Sequence, residues 1–208
     1  PDMFWLKNRA AAENHYVFDS VRGVGTGAGK HISPNTNGAE VSDATVKAIT
    51  SDGFTVEATG AAINTGNHVV WNWLGANGTA TNETGDITST VSANTTSGFS
   101  ILTYSGNGSD NQTIGHGIGI APKLIISKRR DSTGNWTTYH DAVGINQVFY
   151  LDLANVPASN TEQYRATPSS TVYTVGVGGD INNSSGTYVA YVFAEVEGFS
   201  KISSYVGN

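Results

Sequence analysis

Pro1-Asp2-Met3-Phe4-Trp5-Leu6-Lys7-Asn8-Arg9 and Pro122-Lys123-Leu124-Ile125-Ile126-Ser127-Lys128-Arg129-Arg130 read as two versions of one strand. They share a leading proline, an apolar run, a lysine and a closing arginine at a constant offset of 121. The offset holds through Asn14 and Asn135, Phe18 and Tyr139, and Gly23 and Gly144. It drifts to 119 where Gly53-Phe54-Thr55-Val56 meets Val172-Tyr173-Thr174-Val175, and to 120 where Val69-Val70-Trp71-Asn72-Trp73 meets Val189-Ala190-Tyr191-Val192-Phe193. Drift of this size is what loop insertions between two copies of one unit leave behind. A second register pairs Gly98-Phe99-Ser100 with Gly198-Phe199-Ser200.

Outward from these segments the period is two. Phe99, Ile101 and Thr103 alternate with Ser100, Leu102 and Tyr104, and Val189, Tyr191 and Phe193 alternate with Tyr188, Ala190 and Val192. Short β-branched and aromatic runs bounded by Asn-Gly and Asp-Gly pairs, as at Asn77-Gly78 and Asn107-Gly108, predict strands and turns. Strands are expected near 3–8, 15–20, 54–57, 68–74, 87–93, 99–104, 123–128, 136–140, 148–153, 171–175, 188–197 and 199–205. Glu40 to Ile49 reads at best as one short helix or an irregular loop. The expected fold is all-β: two tandem β-sandwich-like modules with long loops, related by a pseudo-twofold duplication. Copy one spans 1–76, a connection 77–97, copy two 98–197, and a closing strand 198–208. The rows Val69/Trp71/Trp73 and Val189/Tyr191/Phe193 are expected to face inward. Phe199–Tyr205 is expected to supply copy one with the strand that Phe99–Tyr104 gives copy two, or else to complete a neighbouring subunit.

Composition narrows the function. Charged residues are only 13% of the 208, against about 25% in an average globular domain. The surface must therefore rest on the 24 Thr, 20 Ser, 19 Asn and 25 Gly. A net charge of -6 argues against nucleic acid or an anionic membrane as partner. No apolar run approaches the roughly 20 residues of a membrane span, so no membrane insertion is expected. Zero cysteine excludes disulfides, thiolate metal sites and thiol catalysis. The chain begins at Pro1 rather than Met, as expected of a fragment or a processed product.

Motifs that could carry chemistry are weak. Gly23-Val24-Gly25-Thr26-Gly27-Ala28-Gly29-Lys30-His31 has Val24 and His31 where a phosphate loop needs Gly and Ser or Thr, and reads as a flexible surface loop. The five histidines show no ligand spacing, and no metal or cofactor is expected. Glu195 and Glu197 alternate on one expected strand face, a permissive spacing for glycoside hydrolysis, but edge-strand solubility is the simpler reading. Lys7/Arg9 and Lys128/Arg130 recur in both halves and are expected to serve the fold through ion pairs or carbonyl contacts. Uncharged and aromatic loop residues are the expected ligand contacts: Trp136, Tyr139 and His140, with His15, Tyr16 and Phe18 in copy one.

The opening Pro-Asp-Met-Phe-Trp-Leu-Lys-Asn-Arg, the approach Gly-His-Gly-Ile-Gly-Ile-Ala-Pro-Lys-Leu-Ile-Ile-Ser-Lys and the close Tyr-Val-Ala-Tyr-Val-Phe-Ala-Glu-Val-Glu-Gly-Phe-Ser-Lys resemble a duplicated β-rich domain in the C-terminal parts of tail-fibre-like and structural proteins of marine tailed phages. The resemblance covers nearly the whole chain and brings no catalytic residues with it. It implies a non-enzymatic virion protein in an extracellular setting, with a tail-fibre or receptor-binding role. The implied partners are a host surface glycan or receptor and other virion proteins, with a homo-oligomer, a trimer included, expected. The alternatives are a capsid-decoration or fibre-shaft protein and a surface-polysaccharide depolymerase.

Overall fold

The chain is described by a computed structural model over residues 1–24, 29–43, 45–56 and 62–207. Its first part forms β1 (Met3–Asn8), β2 (Tyr16–Asp19), β3 (Gly29–Ile32), β4 (Val41–Asp43), β5 (Val46–Ile49), β6 (Phe54–Val56) and β7 (His68–Trp73). Then come β8 (Ala80–Asn82), β9 (Ser89–Asn94), β10 (Phe99–Ser105) and β11 (Gln112–Gly115). The rest forms β12 (Leu124–Arg129), β13 (Thr137–His140), β14 (Gln147–Tyr150), β15 (Ala158–Ser159), β16 (Tyr164–Ala166), β17 (Val172–Val175) and β18 (Thr187–Phe193), with one helical turn, α1 (Gly179–Asn182). The fold is all-β, as the alternating pattern predicts.

A five-stranded sheet runs β4-β3-β2-β1-β7, and an eight-stranded sheet runs β15-β14-β13-β12-β18-β10-β9-β8. A three-stranded sheet β11-β17-β16 and a ribbon β5-β6 complete the set. Strand alternation gives each large sheet two apolar faces, and each face has a cover. Met3, Val17, Ile32, Ile101, Val189 and Tyr191 form the core between the two large sheets. Phe4, Leu6 and Phe18 point the other way, onto Val46 and Phe54 of the ribbon. Leu102, Ile125, Tyr139 and Val192 face Tyr164, Tyr173 and Val175 of the small sheet. Burying a Phe4 or Leu6 side chain stabilises the fold by about 1.5–3 kcal/mol.

The ladders of the two halves match pair by pair. Met3 lies opposite Asp19 and Trp73, and Leu124 opposite His140 and Phe193. His31 lies opposite Val41, and Val148 opposite Ala158. The register shift in β5-β6 between Val46 and Ala48 recurs in β16-β17 between Tyr164 and Ala166. Lys7 Nζ donates to the carbonyl of Asn8 at 2.8 Å, and Lys128 Nζ to that of Arg129 at 2.7 Å, so the recurring lysines tie down strand ends.

Several expectations are corrected. Glu40–Ile49 holds β4 and β5, because Val41 and Val46 pair across antiparallel ladders and are not wound onto a helical face. The segment 77–97 is no bare connection: β8 and β9 extend the eight-stranded sheet. Trp71 is 46% exposed, because β7 is a sheet edge and, among the described residues, nothing takes the position that β10 takes beside β18. The expected closing strand is absent: residues 199–205 join no named strand, and Phe199 and Tyr205 lie exposed. Of the glycine-rich run, 25–28 lies outside the described residues, while Gly29–Ile32 is β3 and no loop.

Polar groups also cross the inner core. Tyr191 Oη donates to Asp19 Oδ2 at 2.7 Å, Asp19 pairs with the buried Arg22, and Arg22 reaches Glu40. Glu40 in turn takes two hydrogen bonds from Arg130, at 2.9 and 3.0 Å. Burial pulls the Arg22 guanidinium down, but the charges of Asp19 and Glu40 more than reverse this, and its pKa lies above the ordinary value. Burial raises the Glu40 carboxyl, and the hydrogen bonds and charges of Arg130 and Arg22 bring it below the ordinary 4.5. Asp19→Ala leaves the buried Arg22 with Glu40, at 3.3 Å, as its remaining carboxylate, and should cost about 3 kcal/mol in denaturant unfolding. Because the Glu40 pKa is lower folded than unfolded, its contribution is full above pH 4.5 and is lost as pH falls through the folded value. Glu40→Gln should therefore flatten the acid limb of the stability–pH curve as well as lower the neutral plateau.

Candidate functional site

Three rings meet where strands end: Trp73 at the end of β7, Phe99 at the start of β10 and Phe193 at the end of β18. Trp73 stands edge-on to Phe193 at 6.1 Å, and Phe99 lies 4.9 Å from Phe193. Gly98 sets Phe99 in place. It has φ +67°, and a Cβ there would sit 2.8 Å from Val196 Cγ2 and 3.1 Å from the Ala194 carbonyl oxygen, so no larger residue fits the turn. Ala194 N donates to the Gly98 carbonyl at 2.7 Å and locks the turn to the end of β18.

Beside these rings a cleft of about 670 Å³ opens between the two large sheets. That is within the roughly 300–1,000 Å³ of sites that bury a small ligand. Met3 and Trp5 of β1 line one side, and Leu124 and Ile126 of β12 the other. Trp136 and Leu151 also line it, as do Phe199 and Ile202 of the C-terminal segment. Its polar residues are Asn72, Asn94, Thr96, Ser97 and Ser200, with the Tyr191 hydroxyl turned to Asp19. Among the described residues none of its lining side chains is charged.

The loop between β9 and β10 supplies the polar part. Asn94 Oδ1 accepts from the backbone N–H of Thr96 and of Ser97, both at 3.1 Å, and Asn94 Nδ2 donates to the Leu74 carbonyl at 3.2 Å. This Asx turn is what an Asn at a strand end builds. It fixes Ser97, whose Oγ is buried and has no hydrogen-bond partner among the described residues. A buried hydroxyl left unpaired costs about 1–3 kcal/mol.

The six residues expected to contact a ligand are not brought together. Phe18 is buried and stacked on Phe4 at 5.1 Å in the outer core under the ribbon. Tyr139 is buried in the opposite outer core, where burial first and the Asp141 charge second push its hydroxyl up to about 12. Trp136 is buried too, with Nε1 donating to the carbonyls of Ser33 and Thr36, yet it is the one of the six that lines the cleft. His15 accepts from Trp5 Nε1 at 2.9 Å, Tyr16 meets His31 edge-on at 5.0 Å, and His140 lines a separate shallow depression with Phe149 and Pro157. Strand alternation splits each set: neighbouring residues face opposite layers, so Phe18 and Tyr139 are core by parity. Glu195 and Glu197 do not share a strand face, since β18 ends at Phe193. The Ile202 N–H and Lys201 hold the Glu195 carboxyl below its ordinary range.

The sequence reading put Trp73 and Phe193 on inward faces but missed that they border an open space. The available signal was positional: Trp73 and Phe193 stand at equivalent strand ends, and Phe99 follows a glycine opposite them.

A family model for a domain of unknown function, DUF7483, matches residues 1–208. No curated protein and no solved structure matches the chain.

Ser97→Ala removes the unpaired hydroxyl and should stabilise the ligand-free protein by about 1 kcal/mol in urea unfolding. A loss of stability would show that Ser97 Oγ has a protein or water partner after all.

Proposed function

We propose that this chain, which belongs to the DUF7483 family over all 208 residues, is a non-enzymatic binding module of a virion surface, of the tail-fibre or receptor-binding kind, and that its cleft takes a host surface glycan. In this reading the chain is a duplicated module, and the matching ladders of its two halves support that. A sugar ring has an apolar C–H face and a hydroxyl edge. The rings of Trp73, Phe99 and Phe193 suit the first, and the amides and hydroxyls of Asn72, Asn94, Thr96 and Ser97 suit the second. The observation that carries the reading is a cleft of about 670 Å³ lined by aromatic rings and uncharged polar residues, with Asn94, Thr96 and Ser97 on its wall. Uncharged partners also avoid the cost of desolvating full charges.

A structural role, as a decoration or shaft protein, is the second reading, favoured by the open edge of β7 with Trp71 exposed on it.

A glycan array followed by calorimetry tests the first reading. The expected hit binds without being cleaved, since a released product would instead indicate a depolymerase. Its affinity should persist between about 0.01 and 0.15 M salt, across which the screening length falls from about 30 to 8 Å. Ser97→Ala should weaken it about tenfold, or ~1.4 kcal/mol, while leaving the fold no less stable. Binding that collapses with salt, or that ignores Ser97→Ala and Trp73→Ala alike, overturns the assignment.

A further inference from the structure

The edge of β18 is covered by β10, in the register Phe99 opposite Phe193 through Ser105 opposite Thr187. The strand that matches β18 in the first half is β7, and among the described residues nothing pairs with its outer edge. The eight-stranded sheet reaches further than the five-stranded one. Thr81, Thr90 and Thr103 stand in line on the inner face of β8, β9 and β10, the same face as Ile101, and Thr81 and Thr90 are exposed. Among the described residues the five-stranded sheet carries no strand beyond β7.

One segment has the sequence of such a strand. Gly198-Phe199-Ser200 repeats Gly98-Phe99-Ser100, the start of β10, and Ile202 stands where β10 has Leu102. This segment is unspent. Phe199 is 68% exposed, and Tyr205 and Val206 are more than nine-tenths exposed. It is held by Ser200 Oγ to the Ala194 carbonyl, by the Phe199 and Ser200 N–H groups to the Val196 carbonyl, and by the Ile202 N–H and Lys201 to Glu195. Gly198, at φ +74°, forms the turn at its root, and exchange opens that turn. In its own subunit the segment runs away from β7, towards the depression that Ser204 lines with His140 and Phe149.

We infer that residues 199–206 of a second copy of this chain add to the open edge of β7 as an antiparallel strand. Phe199 takes the place of Phe99 and Trp73 that of Phe193. Phe199 therefore falls opposite Trp73, Ser200 opposite Asn72, Ile202 opposite Val70 and Ser204 opposite His68. His68 Nε2 is buried and unpaired among the described residues, and a Ser204 hydroxyl opposite it supplies a partner. The added strand satisfies the outward N–H and C=O groups of β7 and covers Trp71, the two liabilities of an open edge. Self-association of this kind draws Phe199, Ser200 and Ile202 from the cleft wall of their own subunit, so it is coupled to whatever the cleft holds. Reciprocal exchange closes a dimer, and one-way exchange builds a filament.

The protein has no cysteine, so engineered thiols report without background. Mixing Asn72→Cys with Ser200→Cys under mild oxidation should give a cross-linked dimer. Mixing Asn72→Cys with Lys201→Cys should not, because a one-residue shift turns the side chain to the other face. Sedimentation of the unmodified chain should show mass rising with concentration, and deletion of 199–208 should return it to monomer with its unfolding midpoint kept. Three results overturn the inference. They are a monomer up to the solubility limit, an oligomer that survives the deletion, and an internal disulfide within one chain carrying both Asn72→Cys and Ser200→Cys.

Discussion

Tyr191 on β18, Asp19 at the end of β2, Arg22, Glu40 and Arg130 just past β12 form one run of hydrogen bonds, which leaves the eight-stranded sheet, crosses the five-stranded sheet and returns. Everything between the large sheets is set against this run. Apolar packing alone lets two sheets slide, because the attraction is not directional. Buried charges do not slide, because each shift strands one of them. The same run has no counterpart in the second half, where the residues matching Asp19 and Arg22 are His140 and Val143. The two halves share a ladder pattern but not a clamp. Each clamp partner is a single residue, so one substitution at the interface acts on both sheets.

The cleft follows from where that clamp sits. Asp19 and Arg22 close the inner core at one end of β2, and Trp136 reaches across to the Ser33 and Thr36 carbonyls. In the same cross-strand row, where Met3 lies between Asp19 and Trp73, the side chains beyond Met3 are aromatic: Trp73, Phe99 and Phe193 stand 4.9 to 6.4 Å apart. Large rings on opposed strand ends prop the sheets, and the space behind them is lined by Met3, Trp5, Leu124 and Ile126. Polar residues come from the β9–β10 turn, where Asn94 holds Thr96 and Ser97 in place, and from Asn72 and Ser200. Fixing the turn in advance lowers the cost of ordering it around a ligand.

The difference between the halves is as informative as their likeness. β10, β9 and β8 give the second half three strands that the first half lacks among the described residues. Their presence buries β18 on both edges, and its residues from Tyr188 to Val192 are all buried. Their absence leaves β7 half-exposed along its length, although its sequence is as apolar and aromatic as that of β18. Burial here is decided by neighbours rather than by composition.

Alternation and repetition determined much of this protein from the sequence alone. The strands β1, β2, β7, β10, β12, β13 and β18 were legible because each is a run of β-branched or aromatic residues bounded by turn formers, and an offset of 120 to 121 aligns β1 with β12, β2 with β13 and β7 with β18. The short strands β3, β4, β8, β11, β15 and β16 were not. Gly29–Ile32 and Ala80–Asn82 carry no apolar period, and they become strands because a neighbouring strand offers them hydrogen bonds. Tertiary structure alone decided which face each residue meets. Phe18 and Tyr139 look like surface aromatics in a polar segment, yet a ribbon and a small sheet cover them. Trp71 looks like core, yet among the described residues no strand comes to its side. The cleft was hidden for the same reason: Trp73, Ser97, Phe99 and Phe193 come from three separate segments, and only the packing of one sheet on the other, pinned by Asp19 and Glu40, brings them to one opening.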